Sequence, residues 1–163
     1  MKQVIAFFAL LAVLTLASGA AQTRSDVSEL VPVQALAVDV QDGRVRVTAD
    51  TGDEGFGRSL DDALSDLRAG CAGRLFTQTA EHILMTQRAW YLLPQVCVSG
   101  QLRPAAKLYR AGEKAARPEE ALAFLQAHPG PLTLSRARAA LLENKMPEAP
   151  VLLEAEGGFR LGR

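Results

Sequence analysis

The chain has 163 residues, 48% of them apolar and 22% charged, and its Lys+Arg and Asp+Glu counts are equal at 18 each. That length and composition fit one globular domain without a low-complexity tract. A neutral balance excludes the basic face of a nucleic-acid binder and the polybasic cluster that holds peripheral proteins on anionic lipid.

The chain opens with Met1-Lys2-Gln3 and an apolar run from Val4 to Ala17. A positive start, an apolar core and small residues after it have the form of a secretory signal. The run is shorter than the roughly 20 residues a spanning helix needs. In TLASGAAQT the small residues place cleavage after Ala20 or Ala21, so residues 1–21 are expected to be a signal peptide. The other reading is an uncleaved N-terminal anchor, through which the protein would associate with a membrane. Leu16-Ala17-Ser18-Gly19 is the lead-in of a lipoprotein signal, but Ala20 follows it, and lipoprotein acylation needs a cysteine thiol there. Residues 22–31 are polar and are expected to be a tether, leaving 32–163 as a single domain.

VPVQALAVDV and RVRVTAD flank Gln41-Asp42-Gly43. Asp-Gly between two β-rich runs predicts a hairpin. The second run alternates Val45, Val47 and Ala49 against Arg44, Arg46 and Thr48, as a half-buried strand does. The first is apolar on both faces and belongs further inside a sheet. TGDEGFGR (51–58) lacks the ending of a phosphate-binding P-loop and carries two acids, so it is expected to be a plain connection. Ser59 then opens a helix, with Asp62 three residues on and Leu60, Ala63, Leu64, Leu67 and Cys71 on one stripe. AEHILMTQ (80–87) predicts a buried strand. RAWYLLPQVCVSG (88–100) predicts a helix kinked or split at Pro94, and PAAKLYRAG (104–112) a further strand. Pro118-Glu119-Glu120 starts a helix that His128-Pro129-Gly130-Pro131 ends. Thr133 or Ser135 caps a last helix through about Asn144, and residues 149–163 form a hairpin around Gly157-Gly158. The predicted fold is α+β: a mixed sheet with a hairpin at each end and two inner strands, packed with four helices.

No catalytic residue, cofactor site or metal site is expected. His82 lies inside an apolar strand and reads first as a core or edge histidine. His128 sits in a Pro/Gly loop, as a cap or solvent contact. Asp61, Asp62 and Asp66 fall on the polar face of their helix, and Arg136 and Arg138 read as surface charges. Cys71 and Cys97 permit a disulfide in an exported protein; two small apolar side chains are the competing reading. Trp90 and Tyr91 are candidate contact residues, because aromatics anchor interfaces, with core packing as the other reading.

From about Val33 to Ala115, the serial order of features resembles the N-terminal region of Ger(x)C-type spore germination proteins, the lipoprotein C subunits of germinant receptors. VQALAVDVQDGRVRVTAD is similar to that family's strand, Gly turn and second strand. GRSLDDALSDLR is similar to its leucine-striped helix, GRLFTQTAEHILMT to its basic-aromatic lead into a hydrophobic strand, and KLYRAGEKA to a later strand. PVLLEAEGGFRLG also resembles a family strand-turn-Gly pattern. The chain departs from the family in having Ala20 where its lipid-bearing cysteine stands, and in being much shorter. The resemblance implies a non-enzymatic exported envelope protein with an accessory, protein-contacting role in germination. It would lie at the outer face of the cytoplasmic or spore inner membrane, or outside the cell. Its partners would be membrane subunits of a germinant receptor or another envelope protein. A small secreted ligand- or peptide-binding module is the alternative, and an exported hydrolase using His82 with a carboxylate is a distant third.

Overall fold

The computed structural model describes residues 30–71, 73–112 and 117–162. The fold is α+β, with four helices, a seven-stranded mixed sheet and a small two-stranded sheet among the described residues. Strands β1 (Leu30–Pro32), β2 (Ala35–Gln41), β3 (Arg44–Ala49) and β4 (Glu54–Gly57) lead into helix α1 (Leu60–Gly70). Strand β5 (Arg74–Phe76) and a 3-10 turn (Thr77–Thr79) precede β6 (His82–Met85). A second 3-10 turn (Trp90–Leu92) runs into α2 (Leu93–Val98), followed by β7 (Lys107–Ala111). Helices α3 (Pro118–Ala127) and α4 (Leu134–Leu142) then lead to the hairpin β8 (Val151–Ala155) and β9 (Gly158–Gly162).

The large sheet has the order β4-β3-β2-β6-β7-β8-β9. Its four middle strands are parallel, and each end is closed by antiparallel pairing. Parallel strands need a crossover between them and are covered on both faces. The β2 and β6 sequences fit this, since Ala35 to Val38 and His82 to Met85 are all buried. On one face Leu36, Val38, Val47, Ile83, Met85 and Leu108 pack with α1, α2 and α4. On the other, Ala35, Ala37, Leu84, Tyr109 and Leu152 pack with Ala121 and Leu125 of α3.

The chain crosses between these layers at the edge of β7. There Lys107 bridges Thr133, and the Leu108 N–H donates to Leu132 O at 3.0 Å. This segment fills the edge of β7 below β8, which pairs only with Arg110 and Ala111. Gly130 makes the passage possible, because a Cβ there would come within 2.8 Å of the Tyr109 ring.

The expected Asp42-Gly43 turn forms with positive φ at both residues (51° and 74°), the geometry that a tight hairpin between right-twisted strands requires. Helix α1 is capped by Ser59, whose Oγ accepts from the Asp62 N–H at 3.2 Å. Pro94 sits in the first turn of α2, where its missing N–H costs nothing, so the 88–100 segment divides into a 3-10 turn and a helix.

Residues 51–58, expected to be a plain connection, contain the edge strand β4. Gly55 and Gly57 face α1 so closely that a Cβ on Gly55 would run into the backbone of Ala63 and Leu67. Asp66 of α1 completes the contact, accepting the Phe56 N–H at 2.8 Å. Leu30 and Val31, placed by sequence in the polar tether, are strand residues of β1, which pairs parallel with β5. The signal segment and residues 22–29 lie outside the described residues. No helix among the described residues is long and apolar enough to cross a membrane.

Close packing of β4 on α1 makes a signed prediction. Gly55→Ala should lower stability by about 1–3 kcal/mol through overpacking. Gly70→Ala, where the added Cβ meets open space at the end of α1, should leave stability unchanged or raise it by up to about 1 kcal/mol. Urea unfolding of both variants checks the pair.

Candidate functional site

Trp90 and Tyr91 follow β6 at the carboxyl end of the parallel strands, where open sheets with covered faces leave a crevice. The bend that carries them is fixed by Thr86. Its buried hydroxyl donates to Asp39 Oδ1 at 2.6 Å and accepts from the Ala89 N–H at 3.2 Å. Trp90 is half-buried against the core, whereas Tyr91 is 68% exposed. The two aromatics therefore divide between packing and surface.

Arg110 joins Trp90 from the end of β7. Its guanidinium carbon lies 5.2 Å from the centre of the Trp90 ring, and its Nη2 donates to Gln87 Oε1. Stacking on an aromatic face while donating in plane suits the flat guanidinium. Beside this pair runs a groove of about 650 Å³, walled by Pro131, Met146, Pro147, Pro150 and Val151. Prolines hold their backbone φ fixed, which lowers the conformational entropy this wall has to lose on binding. Met146 is 69% exposed at its rim. Sequence reading found the two aromatics but missed Arg110. The alternation in Lys107-Leu108-Tyr109-Arg110 puts Arg110 on the face opposite Tyr109, but nothing in one chain says that β7 lies beside β6.

His82 lies at the other end of the strands, 3% exposed. Its Nδ1 is 3.1 Å from the Tyr109 hydroxyl, which accepts from the Gly130 N–H at 2.9 Å. Burial pushes the imidazole below its ordinary value, with Glu81 opposing the shift and Lys107 adding to it. Burial likewise raises the Tyr109 phenol. His128 caps α3, with Nδ1 3.2 Å from Phe124 O and its ring stacked on Phe124 at 4.7 Å.

Cys71 and Cys97 are both free thiols. Cys71 donates to Leu67 O at 3.0 Å, and desolvation together with the Asp53 carboxylate pushes it up to about 11. Cys97, on α2 and packed against the core, is also raised to about 11 by burial, against the pull of Arg138. Such thiols are weak nucleophiles at neutral pH. The acids on α1 act as ties. Asp61 accepts from Ser99 Oγ at 3.2 Å and Gln101 Nε2 at 3.1 Å, Asp62 supplies the capped N–H, and Asp66 holds β4. Arg136 donates to Pro131 O at 3.1 Å, tethering one wall of the groove.

With this geometry in hand, the chain matches no family model, no curated protein and no solved structure.

The lowered His82 value makes stability depend on pH with a definite sign. The unfolded chain binds the proton first, near the ordinary value of 6.5. Stability from this group is therefore complete above that value and is lost as pH falls from it toward the folded value. Urea midpoints at about pH 7.5 and about pH 5.5 should drop for the natural chain, with a smaller drop in His82→Gln.

Proposed function

We propose that this protein is a non-enzymatic, exported envelope protein that works by contacting a membrane-protein partner. Its role would be of the kind played by the germinant-receptor C subunit that its sequence resembles. The partner in this reading is a membrane subunit of such a receptor. The observation that carries the proposal is the meeting of Trp90 and Arg110 on one open, proline-walled groove with exposed Met146 at its rim. Trp, Tyr and Arg are the residue types that dominate binding energy at protein interfaces, above all where a pocket shields them from water. The groove takes its residues from the end of β6, the end of β7 and the segment before β8, elements distant in sequence. A partner bound there would engage the rigid centre of the sheet and not a single loop.

The N-terminal apolar run supports the location. Whether cleaved or kept, a signal of that form delivers the domain to the far side of the cytoplasmic membrane. An extended segment of a membrane subunit fits a groove of this shape: its apolar side chains would lie on Trp90 and Met146, and an acidic group would reach Arg110.

Affinity-tagged protein recovered from its native envelope should co-purify receptor-type membrane subunits. Trp90→Ala should weaken that association by about 2 kcal/mol, close to thirtyfold, without loss of folding. Co-purification unchanged in Trp90→Ala, or the absence of any membrane subunit, would reject the proposal.

A further inference from the structure

The amino ends of the parallel strands hold a second, polar cavity, and its contents follow from strand register. His82 opens β6 and Lys107 opens β7, and the two are paired neighbours in the parallel ladder, so their side chains share one face of the sheet. Tyr109, two residues beyond Lys107, lies on the same face. Along with Glu81, Arg103, Ala105, Gln126 and Pro129, His82 and Lys107 line a cavity of about 460 Å³. That size suits a small organic molecule.

The hydrogen bonds around Tyr109 favour one placement of the protons. The Tyr109 oxygen accepts from the Gly130 N–H, which leaves its own proton available to His82 Nδ1, 3.1 Å away. A neutral imidazole with Nδ1 as acceptor carries its proton on Nε2. Nε2 has no hydrogen-bond partner among the described residues, so in that tautomer its N–H is the donor His82 offers to the cavity it lines. The charges are equally unequal. Glu81 is held by Arg103 at 3.1 Å, and the two cancel. Lys107 has no ion-pair partner among the described residues. Gln126 is steadied by its amide, which donates to Gln34 Oε1 at 2.7 Å.

We infer that this cavity is a binding site for a small carboxylate, one oxygen held by the Lys107 ammonium and the other by the His82 Nε2–H. One uncompensated positive charge beside one neutral N–H donor matches a monoanion with two acceptor oxygens. A phosphate dianion would bring a second negative charge toward Glu81, where the only other lining cation, Arg103, is already paired with that carboxylate. The site is separate from the Trp90 groove and does not depend on the partner proposed for it.

Histidine-selective 15N labelling of the full chain gives a spectrum of only two imidazoles, His82 and His128. The inference expects the Nε2–H form at His82 and a saturable shift of its signals on titration with sodium acetate. Sodium chloride at the same ionic strength should give none. Lys107→Met should weaken acetate binding by about tenfold or more, and Lys107→Arg should largely restore it. No saturable shift in the natural chain would overturn the inference, whatever the variants do. So would the Nδ1–H form, an equal response to phosphate, or undiminished affinity in a folded Lys107→Met protein.

Discussion

The pairing of β2, β6 and β7 as parallel strands buried on both faces is the constraint on which the rest of the structure depends. A parallel ladder cannot be closed by short turns. It forces crossovers, and here those crossovers are α1, α2 and the α3–α4 pair. Covering both faces takes helices from two layers, so the chain must pass from one layer to the other. It does so at the edge of β7, where Gly130 slides over the Tyr109 ring and donates to its hydroxyl. The same parallel register fixes what gathers at each end of the strands. Trp90 and Arg110 emerge at the carboxyl ends, and His82 and Lys107 start at the amino ends.

This geometry separates two kinds of surface. The carboxyl end carries an apolar, aromatic groove suited to another polypeptide. The amino end carries a polar cavity lined by His82 and Lys107, and Lys107 has no ion-pair partner among the described residues. Each is assembled from strand ends held by the central ladder, a rigid base for a binding surface. Tyr109 connects the amino-end site to the fold itself. Its hydroxyl orients His82 while its ring fills the layer beneath α3.

Much of the fold was legible in the sequence because local signals agreed with tertiary need. The Asp42-Gly43 turn, the Ser59 cap with its leucine stripe, the proline start of α3 and the Gly157-Gly158 turn each had a local physical cause. What escaped was set by contacts between distant segments. β4 reads as a glycine-rich loop because Gly55 and Gly57 are there to admit α1, a reason visible only once the helix is packed. β1 hid at the edge of a polar stretch because its partner β5 is more than 40 residues away and only three residues long. At the candidate sites, Trp90 and Tyr91 stood out by residue type. Arg110 and the His82–Lys107–Tyr109 cluster depend on strand neighbours, which no single periodicity reveals.

The central claim is that the carboxyl-end groove, and not the opposite end of the sheet, meets a membrane partner. It is tested most directly by photo-crosslinking in the native envelope. A photoreactive residue is placed either at exposed Met146, on the rim of the carboxyl-end groove, or at exposed Ala127, near the amino-end cavity. The account predicts a discrete adduct with a membrane subunit from position 146 and none from position 127. Adducts of equal yield from both positions, or an adduct from position 127 alone, would contradict it.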